Sequence, residues 1–286
     1  MPELPEVETI RRDLQRKIVG KKIVQIKVRK PKIIKGSKPA FIKSLTGNSF
    51  AKIKRRGKLL IFKLKKGDRY LLIHLKMTGQ LIYQACGKVT AGGHGWPKVD
   101  ELPNKYSHII FTFADKSQLF FNDLRQFGYM RLVDEGELQE VRQQFGIEPL
   151  TKGFTWTNFR QAVTGKKTNI KAVLLNQGVI AGIGNIYADE ICWRAGVQPS
   201  RAVGGLSQAE LRKIFNSCNV ILKQAIKYRG TTFNDYVDAD GKKGNFVSRL
   251  KVYQRAGEKC QRCQQAEIKK IKIAGRGTHY CPRCQK

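Results

Sequence analysis

Apolar residues at Val7, Ile10, Leu14 and Ile18, followed by Gly20, have the spacing of one buried helix face. Pro5 suits the first turn of such a helix, and Glu6 and Glu8 suit the positive end of its dipole. Beyond Gly20 the period shortens. Segments 22–28, 58–64, 70–74, 108–113 and 119–121 are short, rich in Ile, Val, Leu and Phe, and separated by turn residues. Within them Ile61, Lys63 and Lys65 alternate with Leu60, Phe62 and Leu64, which predicts a strand with one face buried and the other in water. This half reads as a β-sandwich or barrel-like unit behind a helix. The stretch 86–104, with Gly92, Gly93, Gly95 and Pro97, follows neither period and reads as a long loop.

From 134 to 153 the pattern weakens, and Gly136, Gly146, Pro149 and Gly153 suggest a connection between domains. The period is helical after that. Segments 169–175 and 186–195 predict two short helices on either side of a turn containing Gly178, Gly182 and Gly184. Ser207-Gln-Ala-Glu210 is a capping box, followed by Leu211, Ile214, Phe215, Cys218, Leu222, Ala225 and Ile226 on one face, with Gly230 closing the helix.

At 286 residues and 41% hydrophobic, the chain is long enough for two domains with real cores. Its net charge of +33 exceeds what solubility requires and points to a polyanionic partner, nucleic acid first. A membrane surface fits less well, because no apolar run approaches the ~18 to 20 residues of a spanning helix. The start lacks the basic and apolar regions of a signal peptide, so a reducing cytoplasm is the expected compartment and disulfides are not expected. Three of the seven cysteines, Cys86, Cys192 and Cys218, are scattered and are expected to pack as small apolar residues.

The other four fall as Cys260-Gln-Arg-Cys263 and Cys281-Pro-Arg-Cys284, the spacing of a four-thiolate zinc ribbon. Four thiolates leave no open position on Zn²⁺, so the metal is expected to be structural. Between the pairs, Ile268, Ile271 and Ile273 suggest strands and Gly275-Arg276-Gly277 a turn, with Arg276 at a hairpin tip suited to clamping a phosphate. From 241 to 286 there are 13 Lys and Arg against two Glu. The glycine-rich turn before 186 permits backbone amides to approach a phosphate, and Lys166, Lys167 and Lys171 strengthen that nucleic-acid reading.

The chain end holds the most specific chemistry. Met1-Pro2-Glu3 would, after loss of Met1, leave a secondary amine beside a carboxylate. An α-amino group is about one-tenth unprotonated at pH 7, a lysine well under a thousandth. A secondary amine condensing with an aldehyde carbon stays an iminium cation, an electron sink suited to opening a sugar at its anomeric carbon. A plain helix start explains the same prolines and acids, and the two readings are compatible, since the helix's positive end would lower the amine's pKa. Lys58, between Gly57 and an apolar strand, has a fixed base and a mobile head, as proton transfer needs, and is equally an ordinary surface lysine. Met77, Arg125 and Phe127 are ordinary as core and surface residues, and are also the bulky and cationic side chains that fill the gap left by an extruded nucleotide.

Five segments taken together resemble the bacterial formamidopyrimidine-DNA glycosylases: Pro2-Glu-Leu-Pro-Glu-Val-Glu-Thr9 with Arg11-Arg12, Arg55-Arg-Gly-Lys58, Asp123-Leu-Arg-Gln-Phe-Gly128, Gly182-Ile-Gly-Asn-Ile-Tyr187, and the cysteine ribbon. The resemblance implies an α+β multidomain fold. An N-terminal β-sandwich with a leading helix would span 1–133, a linker 134–153, a helix-two-turn-helix domain 154–240 and a zinc finger 241–286. It further implies a bifunctional glycosylase and lyase for oxidised purines, working as a monomer on damaged duplex DNA in the cytoplasm, at the nucleoid, with one structural Zn²⁺ and no Mg²⁺ or redox cofactor. By the same resemblance Pro2 is the nucleophile, Glu3 the acid for ring opening, Lys58 the proton donor of β-elimination and Arg276 the arginine of δ-elimination. Met77, Arg125 and Phe127 occupy the void, Lys167 and Asn185 contact DNA, and Glu6 is a second carboxylate near the lesion. Tyr106 stands where the family often carries a histidine DNA contact, the 86–104 loop looks enlarged, and lesion choice would rest on a loop within 231–246. The alternatives are an endonuclease VIII-like enzyme for oxidised pyrimidines and a non-catalytic zinc-ribbon DNA-binding protein.

Overall fold

Val7, Ile10, Leu14 and Ile18 are all buried on one face of helix α1 (Leu4–Ile18), as their spacing predicts. The computed structural model describes residues 1–86, 88–93, 102–231 and 246–286. They form two compact units, one of Met1–Arg142 with the segment from Tyr228, the other of Gln143–Lys227 and Phe246–Lys286.

The first unit is a sandwich of two five-stranded sheets. One joins β1 (Ile23–Val28), β6 (Gly79–Ala85), β7 (Lys88–Gly93), β8 (Ser107–Phe113) and β9 (Gln118–Asp123) in the antiparallel order β1-β8-β9-β6-β7. The other joins β2 (Ile34–Lys35), β3 (Phe50–Arg56), β4 (Leu59–Leu64), β5 (Arg69–His74) and β10 (Tyr129–Asp134) in the order β2-β10-β5-β4-β3, with β2 parallel to β10. Leu60, Phe62, Leu71 and Ile73 from one sheet meet Leu81, Ile109, Phe111 and Phe121 from the other in a single core that includes the α1 stripe. α1 packs against the edge strands β3 and β7 and so closes one side of the sandwich. Helix α2 (Lys38–Leu45), capped by Ser37, packs against β1 and buries Phe41 and Leu45. Helix α3 (Glu135–Gln143) follows β10, inside the stretch that reads from sequence as a connection.

Two features depart from the sequence pattern. The 86–104 stretch contains strand β7, whose backbone pairs with β6 from Gln80↔Gly93 to Ala85↔Lys88, so main-chain bonding forms a strand where the side chains carry no period. The remainder of that expected loop, 94–101, lies outside the described residues. Ile61 is buried rather than solvated, because β4 is interior to its sheet and Ile61 pairs with Leu72, which is buried beside it. Cys86 also differs from expectation: it is exposed, whereas Cys192 and Cys218 are buried.

Strand register carries the turns to one rim. His74 pairs with both Leu59 and Tyr129, and Gly79 pairs with Asp123, so the turns at 57–58, 75–78 and 124–128 lie at the same end of the sandwich. Glu8 links α1 to this rim: its carboxylate accepts from Arg11 at 2.8 Å, Arg12 at 2.7 Å and Arg55 at 3.2 Å, while Arg55 also donates to Gly57 O at 2.9 Å.

The second unit contains α4 (Trp156–Val163), α5 (Ile170–Leu175), α6 (Asn185–Ala195), α7 (Gln208–Lys227) and a hairpin of β11 (Lys269–Ile273) and β12 (Arg276–Tyr280). The capping box at α7 is formed, with Ser207 N donating to Glu210 at 2.7 Å and Glu210 N donating to Ser207 Oγ at 3.2 Å. Lys171 on α5 and Asp189 on α6 make a fully buried ion pair at 2.6 Å. Asp189 also accepts from His279 N at 2.8 Å, and Lys171 donates to Thr278 Oγ1 at 2.8 Å and Gly277 O at 3.1 Å. The adjacent Glu190, buried as well, accepts the amides of Lys251, Val252 and Tyr253 at 2.9 to 3.0 Å.

Burial opposes ionisation of Glu8, but the bonds from Arg11 and Arg12 and the charge of Arg55 outweigh it and hold the carboxyl at about 2, against 4.5 in the absence of these partners. Its folded pKa is depressed, so its stabilisation is complete above 4.5 and is lost as the pH falls toward 2. Glu8→Gln is therefore expected to lower stability at neutral pH, with the deficit shrinking through that acidic window. Urea unfolding of both proteins across the window measures this, and a deficit that did not change with pH would contradict it.

Candidate active site

The chain end reaches the rim where the three turns meet. The α-amino group of Met1 is held below its ordinary 8.0, first by burial and then by the charges of Lys58 and Arg125, against the opposing pull of Glu3 and Glu6. Sequence reasoning attributes such a lowering to the helix dipole, whereas burial is the principal cause here. Pro2 is buried, Glu3 is 3% and Lys58 5% exposed, while Met1 itself is exposed. Loss of Met1 would move the free amine to Pro2, still within this group of two carboxylates and two cations. An amine biased to its neutral form among proton-carrying groups has the equipment for covalent attack on an electrophilic carbon.

Glu6 fixes the start of α1. One oxygen accepts the Glu3 amide at 2.8 Å, and the other accepts Thr231 N at 2.8 Å and Thr231 Oγ1 at 3.2 Å. Gly230 makes the approach possible, with φ at +87° and a position where a Cβ would lie 2.5 Å from Glu6 Oε1. Residues 232–245, most of the loop expected to govern lesion choice, lie outside the described residues.

Met77 is half-buried in the 75–78 turn, and the 124–128 turn presents Arg125 and Phe127, the latter 54% exposed. The Arg125 guanidinium lies over the Phe127 ring at 4.7 Å. Tyr106 is half-buried, its carbonyl accepts from Asp123 N at 3.1 Å, and the Lys105 ammonium lies 5.3 Å from its ring. His74, to which sequence reasoning gave no role, ends β5 beside this turn. Burial first, then the charges of Lys76 and Lys58, push it down to about 3, so it is neutral. Its Nδ1 accepts the Lys76 amide at 3.0 Å, which leaves the proton on Nε2 as a donor. A histidine at a strand end directly before the Met77 turn was the available signal.

In the second unit, Lys167 is exposed just before α5, and Asn185 begins α6 with its Nδ2 donating to Gly277 O at 2.9 Å. Arg276 is exposed at the start of β12. Lys171 does not serve the exposed nucleic-acid role read from the sequence, since its ammonium is enclosed by Asp189, Thr278 and Gly277. In the glycine-rich turn, the amides of Gly178 and Gly182 are taken by the side chains of Asn176 and Gln177, at 2.9 and 2.8 Å.

The sulfurs of Cys260, Cys263, Cys281 and Cys284 all lie within 4.8 Å of one another, with Cys260 to Cys284 and Cys263 to Cys281 both at 3.8 Å. A tetrahedron with Zn–S bonds of about 2.3 Å has S···S edges of about 3.8 Å. Burial works against a thiolate at Cys260, but the amides of Cys263 and Arg262 and the Trp193 indole draw it down to about 6. Burial and the neighbouring sulfurs push Cys284 up to about 12, so four thiolates this close require a cation among them.

Three family models match in order along the chain: the formamidopyrimidine-DNA glycosylase N-terminal domain over residues 1–130, the formamidopyrimidine-DNA glycosylase H2TH domain over 145–237, and the zinc finger found in FPG and IleRS over 257–286. With the last of these, the cysteine cluster is the site of one structural zinc ion. Formamidopyrimidine-DNA glycosylase from Listeria monocytogenes is 41% identical over 290 residues, and that from Carboxydothermus hydrogenoformans 44% over 287, each match covering 100% of both chains. Among solved structures, Lactococcus lactis Fpg in complex with DNA containing an abasic site is similar at 37% identity and a TM-score of 0.88 over 99% of each chain. A mutant of that enzyme with DNA containing Fapy-dG is similar at 36% identity and a TM-score of 0.88 over 100% of each chain.

Two outcomes are expected. Removing a positive neighbour with Arg125→Gln should raise the pKa of the chain-end amine, read as a shift to higher pH in its acylation profile by peptide mass spectrometry. No shift would remove Arg125 from the amine's surroundings. Chelating the zinc should lower the melting temperature and weaken DNA binding together, because the thiolates lose the cation that balances them. Unaltered melting after complete metal loss would contradict a structural ion.

Proposed function

We propose that this chain, which belongs to the bacterial formamidopyrimidine-DNA glycosylase family, excises oxidised purines such as 8-oxoguanine and formamidopyrimidines from duplex DNA and then cuts the abasic strand by β,δ-elimination, as a step of base excision repair. The observation that carries the reading is the chain start itself, where Pro2, Glu3, Glu6 and Lys58 are all buried and the charges of Glu3, Glu6, Lys58 and Arg125 act on the terminal nitrogen.

After removal of Met1, the Pro2 nitrogen attacks C1′ of the damaged nucleoside, the base departs with the glycosidic electron pair, and the proton shed by the nitrogen neutralises the departing base. Glu3 protonates the ring oxygen as the sugar opens, and the nitrogen, having no proton left to lose, remains an iminium. The iminium acidifies C2′, so loss of a C2′ proton expels the 3′ phosphate with Lys58 as proton donor. A second elimination expels the 5′ phosphate, where Arg276 offsets the developing negative charge. Glu6 keeps the start of α1 in place beside the lesion. Met77, Arg125 and Phe127 occupy the space vacated by the extruded nucleotide, and Lys167, Asn185 and Tyr106 hold the DNA.

In this reading residues 1–133 form the catalytic β-sandwich domain, 134–153 link, 154–240 form the helix-two-turn-helix and 241–286 the zinc finger, which contributes Arg276. The protein works as a monomer without an obligate partner, in the cytoplasm on the nucleoid. The net charge of +33 supports the nucleic-acid part of this reading.

Borohydride reduction on abasic-site duplex is expected to yield a covalent adduct, reduced by Pro2→Gly, which leaves only a primary amine, and abolished by an N-terminal extension that blocks the amine. A correctly processed chain that formed no adduct would leave a DNA-binding protein without this chemistry. Duplexes with 8-oxoguanine should be cut in preference to duplexes with thymine glycol, and the reverse order would assign the chain to oxidised pyrimidines. Arg276→Ala should make the slope of log affinity against log salt shallower by about 0.9, the contribution of one phosphate contact. An unchanged slope would take Arg276 off the phosphate.

A further inference from the structure

Asp123 is fully buried, yet among the described residues no cation pairs with it. Its carboxylate is satisfied instead by donors from two different turns. Oδ1 accepts from Thr78 Oγ1 at 2.5 Å and Arg125 N at 3.2 Å, and Oδ2 accepts from Gly128 N at 2.7 Å. The same Arg125 amide reaches Thr78 Oγ1 at 2.9 Å, so the threonine hydroxyl receives one proton and gives another. The main chain of Asp123 is fixed as well: its amide donates to Tyr106 O at 3.1 Å, and its carbonyl takes His108 Nε2 at 2.7 Å.

The backbones of the two turns have little slack. A Cβ on Gly79 would lie 2.4 Å from Leu75 O, and one on Gly128 would lie 2.7 Å from the Phe121 ring and 3.0 Å from Asp123 Oδ2. Gln126, between Arg125 and Phe127, has φ +56°. Thr78 follows Met77 directly, and Arg125 and Gly128 bracket Phe127. A single carboxylate therefore ties together the turn that holds Met77 and the turn that holds Arg125 and Phe127.

We infer that Asp123, acting through Thr78, is a positioning residue that sets Met77, Arg125 and Phe127 as one preformed wedge before DNA arrives. The inference rests on the reading of those three side chains as fillers of the vacated space. A wedge assembled in the free protein does not lose conformational freedom when it enters the helix, so the gain falls on the extrusion step and not on covalent chemistry at the chain end.

The test compares single-turnover base release from duplex carrying 8-oxoguanine with borohydride trapping on single-stranded abasic DNA, which has no space to fill. Thr78→Val removes the bridging hydroxyl. Asp123→Asn puts an NH₂ either against the Gly128 amide or against the Thr78 and Arg125 donors. Each is expected to slow duplex excision by about ten- to a hundred-fold, the effect of losing a bond to a buried charged acceptor, while single-strand trapping is kept when measured at a pH high enough that the chain-end amine is unprotonated whether or not Arg125 stays beside it. Thr78→Ser restores the hydroxyl and should restore the duplex rate. An undiminished duplex rate in both variants overturns the proposal, and so does an equal loss on both substrates, which makes Asp123 a folding residue only. Phe127→Ala separates the premise from the inference. If it leaves duplex excision intact, the wedge reading itself fails; if it slows excision while Thr78→Val does not, only the positioning role is lost.

Discussion

A terminal residue is covalently tethered on one side only, so its nitrogen stays at a fixed point only if non-covalent bonds replace the missing neighbour. Glu6 supplies them. It grips the Glu3 amide with one oxygen and Thr231 with the other, and glycine at 230 lets the main chain come close enough. Glu8, two residues further on, fastens the same helix through Arg55 to the Gly57 carbonyl next to Lys58. The amine and its neighbours are thus held by two acidic residues of a single helix turn. This is preorganisation, in which the cost of orientation is met during folding and not on encounter with substrate.

The chain has only 22 acidic residues against 55 basic ones. Several of the acids are withdrawn from the surface and used as clamps. Asp123 gathers two turns, Asp189 grips the hairpin through His279 N and Lys171, and Glu190 holds three consecutive amides at 251–253. Burying a carboxylate is unfavourable unless donors surround it, and backbone amides provide them without adding charge. The arrangement leaves the exterior to cations, which suits a polyanionic ligand.

What was legible in the sequence was local. The α1 stripe, the Ser207 to Glu210 capping box and the paired Cys-x-x-Cys motifs each declare themselves within a few turns of chain. Pro2 and Glu3 stand out as candidates through the motif at the start, whereas Lys58 and Glu6 do so only with the family resemblance added. What stayed hidden depends on distant partners. β7 is a strand because β6 pairs with it, and its glycines carry no side-chain signal. Ile61 alternates like a half-solvated position, yet it is buried beside Leu72 of the neighbouring strand. The Thr78 to Asp123 bond spans 45 positions, and the low pKa of His74 arises first from burial by the fold, then from Lys76 and from Lys58 at the end of the neighbouring strand. Lys171 was misread for the same reason, since a lysine in a basic stretch looks solvated until its acid on another helix is located.

The enclosed charges of Lys171 and Asp189 also bear on the order in which the second unit can assemble. Their outer partners, Thr278 and His279, lie 107 and 90 positions downstream. During synthesis at about 5–20 residues per second, helices α5 and α6 leave the ribosome seconds before strand β12 exists to shield them. Over that interval the pair is wet and the interior of the helical unit is incomplete. The ribbon is in this sense the last stone of the arch, and a ribosome that stalls before residue 278 leaves a nascent chain with a charged hole where the finished protein has a sealed one.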